Sequence, residues 1–182
     1  MTLGPLRGPG RPAGPIAHGA LDGHVVRLPT AADTCALGAR LGELLRAGDL
    51  VVLSGALGAG KTTLVQGIGA GMGVTGRIAS PTFVLARVHP AQLPGGPALI
   101  HVDAYRLGSL AEVDDLDLDV ELDDSVVVVE WGTGLVEQLA EAWLSIGLAR
   151  ADDTEERTAT CSPHGSDWAT RLASVVSASG PR

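Results

Sequence analysis

The chain has 182 residues, 45% hydrophobic and 19% charged, which is enough to bury one sizeable core and too apolar for a disordered chain. A net charge of −8, a pI near 4.9 and 3% aromatics argue against a stand-alone nucleic-acid binder, which needs a basic surface or base-stacking rings. No apolar run is long enough for a membrane span, and Cys35 and Cys161 lie far apart with no C-x-x-C pair, so neither a disulfide framework nor a cysteine zinc site is expected. The N-terminus lacks the basic-then-apolar pattern of a signal peptide, which leaves a cytoplasmic setting as the expectation.

Residues 1–23 read as a disordered tail, with five glycines and four prolines in the first 20 positions. A single α/β domain is expected over 24–150, with a polar loop and a C-terminal helix (151–182) packed on it. His24 to Leu28 predicts a strand. Thr30 then reads as an N-cap, with Asp33 in the place of the capping-box acid. Ala36, Leu37, Leu41, Leu44 and Leu45 recur at helical spacing, with Gly48 as the expected stop. Leu50 to Ser54 is a continuous apolar strand of the kind buried in a parallel sheet. A glycine-rich turn, Gly55 to Gly60, leads into a helix from Lys61 to about Ala70, then a loop to Ser80. Further strands are expected over Phe83 to His89, Ala98 to Val102 (ending in Asp103), Val126 to Val129 (ending in Glu130) and Trp143 to Leu148. A Pro/Gly turn spans Pro90 to Pro97, and short helices are expected over Gly134 to Glu141 and Asp167 to Val176, the latter capped by Ser166. The acids between Asp115 and Asp124 read as a solvated face. Apolar strands alternating with helices predict an α/β domain with a mainly parallel sheet flanked by helices.

Residues 55–62 read G-A-L-G-A-G-K-T and match G-x-x-x-x-G-K-S/T between an apolar strand and a helix, the context that motif requires. Gly55, Gly58, Ala59 and Gly60 would let backbone N–H groups curl around phosphate oxygens, at the positive end of the helix dipole. Lys61, the only lysine against 12 arginines, is a compact charge on a long stem that reaches the β- and γ-phosphates. Thr62 would offer its hydroxyl to Mg²⁺. Thr63 completes the run of the motif and is read as packing. Asp103 and Glu130 end neighbouring apolar strands at the carboxyl edge of the sheet, where one would hold Mg²⁺ and the other orient water; each could instead merely cap the next helix. His101 shares a face with Asp103, but no third zinc ligand is near in sequence.

Guanine recognition by N-K-x-D is excluded, because the chain has no asparagine and its lysine is already in the phosphate loop. Arg77, Arg87 and Arg106 are scattered, so no arginine-rich kinase lid is evident and no arginine is placed in cis to the phosphates. A nucleotide-dependent small-molecule kinase and a nucleotide-gated binding module remain alternatives to an ATPase.

L-G-A-G-K-T-T, S-P-T-F (Ser80 to Phe83), H-V-D-A-Y-R (His101 to Arg106) and V-V-E-W-G (Val128 to Gly132) together resemble the TsaE family, bacterial P-loop ATPases of tRNA threonylcarbamoyladenosine synthesis, over residues 25–150. The resemblance implies that Lys61 contacts phosphate, that Thr62 and Glu130 hold Mg²⁺, and that Asp103 is needed for hydrolysis of ATP. It implies that Thr82 lies on a switch-like loop and that Trp131 borders the nucleotide. It also implies TsaD and TsaB as partners, which would supply most of the tRNA contact, and hydrolysis that is slow without them. Ala56 departs from the family, where an acid is frequent.

Overall fold

The computed structural model describes residues 23–81, 84–107, 112, 122–151 and 154–177. The tail, Thr82, Phe83 and most of the acidic stretch between 113 and 121 lie outside the described residues. The elements run β1 (His24–Leu28), α1 (Ala31–Gly42), β2 (Leu50–Ser54), α2 (Lys61–Met72), β3 (Ala86–His89), β4 (Ala98–Asp103), β5 (Ser125–Glu130), β6 (Trp143–Arg150), β7 (Arg157–His164) and α3 (Ser166–Ser177).

The two most continuously apolar strands sit at the middle of one seven-stranded sheet of order β1-β7-β6-β2-β5-β4-β3. β6, β2, β5 and β4 are parallel, while β1, β7 and β3 add antiparallel flanks. Alternation along each strand divides the core in two. Val51, Leu53, Val126 and Val128 pack with Leu37, Leu64, Trp168 and Leu172 of the three helices. Leu50, Val52, Val127 and Val129 face the other way, onto Leu122 and Val136.

The sequence-predicted capping box of α1 is present: Thr30 accepts from Asp33 N, and the Asp33 carboxylate accepts from Thr30 N at 2.9 Å. The helix ends at Gly42, short of the expected Gly48. The chain turns there because Glu43 N and Leu44 N close onto Ala39 O and Leu41 O, and the Asp49 carboxylate takes Arg46 N. Leu44 and Leu45 still pack on the core from that turn. Gly48, at φ 87°, is a turn residue leading into β2. α2 runs two residues past Ala70 and stops at Gly73, whose left-handed conformation satisfies the final carbonyls.

α1 and α2 cross backbone to backbone. A Cβ on Gly67 would stand 2.1 Å from Cys35 O, and one on Gly38 2.3 Å from Leu64 O. Only glycine fits at these crossings, and the close approach sets where the N-terminus of α2 meets the sheet edge.

Three expectations are corrected in the second half. β3 starts at Ala86 rather than Phe83, because Leu85 takes φ 65° and interrupts extended backbone before it. The helix expected over Gly134 to Glu141 reduces to one 3-10 turn, Glu137–Leu139. Gly134 sits at φ 80° with its N–H donated to the Glu137 carboxylate, and Ala140 is already extended toward β6. β7 was not anticipated at all. It lies between β1 and β6, with Arg157, Ala159, Cys161 and Pro163 buried on alternate positions.

Candidate functional site

The glycine-rich loop, residues 55–60, follows β2 and ends at the first turn of α2. Its glycines take conformations a side chain resists: Gly55 has φ 133°, Gly58 79° and Gly60 106°. At Gly55 a Cβ would also stand 2.2 Å from Leu148 O. Ala59 is buried beneath the loop, which closes through Ala59 N donating to Ala56 O.

Lys61 is buried, and its Nζ donates to Gly55 O at 2.9 Å and Ala56 O at 3.1 Å. The same Nζ lies 3.9 Å from the ring centre of Trp131, a cation–π contact. Burial pulls the ammonium below its ordinary range, and the neighbouring Glu130 and Asp103 carboxylates oppose that shift. Trp131 holds φ 64°, a left-handed conformation rare for an aromatic residue and of the kind that clusters at functional sites. Its N–H donates to Leu53 O, and its ring meets Tyr105 at 5.2 Å.

Glu130 and Asp103 are register partners on adjacent parallel strands. Thr62 donates its hydroxyl to Glu130 Oε1 at 2.8 Å, linking the first turn of α2 to the end of β5. His101 Nε2 lies 2.9 Å from the same oxygen. Asp103 accepts from Ser80 Oγ at 3.1 Å and from Tyr105 N at 3.0 Å. It therefore does cap the 3-10 helix Ala104–Arg106, as the plainer alternative had it, while its other oxygen accepts from Ser80, the first residue of S-P-T-F.

These groups surround a cavity of about 460 Å³, a size typical of small-ligand sites. Gly58, Gly60, Lys61, Thr62, Thr63 and Trp131 line it, as do Asp103 and Glu130. Thr63, read from sequence as packing, is half-buried and on the cavity wall. Gly55 and Ala59, also in the loop, are not among the residues that line the cavity. Thr82 lies outside the described residues. Among the described residues, no three His, Cys, Asp or Glu side chains are grouped to hold a metal.

Sequence reasoning missed Arg157. It weighed Arg77, Arg87 and Arg106, which are exposed, whereas Arg157 is buried, lines the cavity and lies against Gly60. No local signal marked it, since it opens the unforeseen strand β7. Ser80 and His101 were within quoted motifs, but their bonds to the two carboxylates needed the sheet order.

A family model described as the threonylcarbamoyl adenosine biosynthesis protein TsaE matches residues 28–159. The chain belongs to the TsaE family. TsaE of Streptomyces coelicolor is 60% identical over 144 residues, covering 77% of this chain and 97% of that one. TsaE of Treponema pallidum is 40% identical over 131 residues, covering 71% and 94%. The crystal structure of Bacillus subtilis YdiB superposes with a TM-score of 0.70 at 27% identity, over 90% of this chain and all of that one. The role of TsaE is in tRNA threonylcarbamoyladenosine biosynthesis. Among the described residues, no helix is long and apolar enough to cross a membrane.

Proposed function

We propose that this chain is a magnesium-dependent ATP hydrolase that acts on a TsaD/TsaB-type protein complex during threonylcarbamoyladenosine formation, meeting tRNA only through those partners. One observation carries the reading: the Thr62 hydroxyl and the Glu130 carboxylate meet at 2.8 Å beside a phosphate loop that opens α2. The hydroxyl–carboxylate pair fits Mg²⁺, a hard cation that takes oxygen ligands. Bound there, Mg²⁺ would neutralise charge on the β- and γ-phosphates.

The chain's own groups have distinct tasks. The loop N–H groups and the α2 N-terminus bind phosphate oxygens. Lys61 leaves the Gly55 and Ala56 carbonyls for the phosphates, exchanging neutral acceptors for anionic ones, which form the stronger bond. Asp103, across from Glu130 on β4, orients the attacking water and accepts its proton. Trp131 covers Lys61 and keeps water from the phosphate end of the cavity.

Phosphate release, measured for the chain alone and with TsaD and TsaB homologues, tests the reading. Slow release that rises with the partners and vanishes in Lys61→Ala is the expected result. Undiminished hydrolysis by purified Lys61→Ala would overturn it, as would phosphorylation of a supplied small-molecule acceptor.

A further inference from the structure

We propose that His101 is the positioning residue of the Thr62–Glu130 pair, donating its Nε2–H to Glu130 and holding that carboxylate in place for a divalent cation. The inference rests on the magnesium reading above and adds a residue to it.

His101 is completely buried in the middle of β4. It is opposite Val128 in the register, two residues short of Asp103 and therefore on the same face of the sheet as Asp103 and Glu130. Its Nε2 stands 2.9 Å from Glu130 Oε1, and Thr62 Oγ1 stands 2.8 Å from that same oxygen. Among the described residues, His101 Nδ1 has no hydrogen-bond partner. A proton there would be a buried donor without an acceptor, so the single ring proton belongs on Nε2, where Glu130 receives it.

Two donors on one oxygen pin the carboxylate. Among the described residues, no hydrogen-bond donor reaches Oε2, which leaves it for a cation. The Thr62 hydroxyl proton is directed at Glu130, so its oxygen lone pairs remain for the same cation. A carboxylate held by Thr62 alone could rotate about its own side chain and withdraw both oxygens. Supporting hydrogen bonds of this kind orient metal ligands and typically change metal affinity by about 10–100-fold when removed.

The test compares wild type, His101→Leu and His101→Gln by calorimetric titration with ADP, in excess Mg²⁺ and in EDTA. Glutamine retains an N–H donor near the Nε2 position; leucine does not. Expected is a Mg²⁺-dependent gain in affinity that falls about 10–100-fold in His101→Leu, is largely kept in His101→Gln, and is accompanied by unchanged Mg²⁺-free affinity in both. A full gain in His101→Leu, or equal loss in both variants, overturns the proposal. A wild-type chain with no Mg²⁺-dependent gain overturns the magnesium reading itself, and this inference with it. Should the leucine variant not fold, imidazole ¹⁵N spectra of the wild type decide the matter. The His101 signals are assigned by their absence from His101→Gln. Protonation at Nε2 supports the proposal, and protonation at Nδ1 overturns it.

Discussion

Arg157 lies against Gly60, so closely that a Cβ at Gly60 would stand 3.2 Å from its Nε. The contact joins the first residue of β7 to the glycine that caps α2. Arg157 Nη1 is held by Glu155 O at 2.6 Å, while Nε is buried with no protein partner among the described residues. A guanidinium anchored at one end beside the glycine-rich loop would donate to an anionic ligand bound there. Arg157→Ala is expected to weaken ADP and ATP binding by roughly 10–100-fold, since a hydrogen bond to a charged group contributes about 1.5–3 kcal/mol. Arg157→Lys should recover little of it, because a point charge on a flexible stem does not replace the fork. Calorimetric titration checks both, and unchanged affinity in Arg157→Ala would confine the residue to strand packing.

The two carboxylates should separate by assay. Glu130 meets Thr62, whereas Asp103 meets Ser80 and the turn beyond β4. Glu130→Ala is expected to lower affinity for Mg·ATP much more than for Mg²⁺-free nucleotide. Asp103→Asn should keep nucleotide binding and lower phosphate release by at least about 100-fold, the lower range for loss of a general base. The reverse pattern would exchange the two roles.

Gly67→Ala sets propensity against packing. Alanine in a helix interior ordinarily stabilises by about 0.8–1 kcal/mol over glycine. Here its Cβ would stand 2.1 Å from Cys35 O and 3.0 Å from Gly38 Cα, both backbone atoms that cannot rotate aside. Forcing α1 and α2 apart costs about 1–3 kcal/mol, so the net effect is expected to be destabilising. Chemical denaturation gives the sign directly. A stabilised variant would mean that the helices separate easily.

Burial pushes the Cys161 thiol up to about 12 from an ordinary 9.0. A raised pKa in the folded state means that the unfolded chain ionises first. The contribution of the buried neutral thiol is therefore complete below pH 9.0 and is lost progressively as pH rises toward 12. Cys161→Ala should flatten the alkaline decline in stability over that window. In the native protein, alkylation at pH 8 should modify the half-buried Cys35 and spare Cys161 until denaturant is added. Equal rates at the two thiols would contradict this burial.

The glycine-rich loop, the helix it opens, the capping box of α1 and the apolar strands β2 and β5 were legible because each is written in neighbouring residues. A spacing of glycines, one lysine and a run of valines each act locally, so sequence alone determined that a glycine-rich loop opening a helix would stand at the edge of a buried parallel sheet. β7 was not legible. Arg157-Thr158-Ala159-Thr160-Cys161-Ser162-Pro163-His164 contains no large aliphatic residue, and its alternation becomes visible only once β1 and β6 close on either side. The same holds for Gly134, where a helical pattern yields to a positive φ and a bond donated by its N–H to the Glu137 carboxylate. Thr62 and Glu130 are 68 positions apart, and His101 is 29 from Glu130. That these three share one oxygen, and that Arg157 reaches Gly60, was decided by the order of strands in the sheet. Strand order follows from burying both faces of β2 and β5 at once, a condition on the whole chain that no short window of sequence expresses.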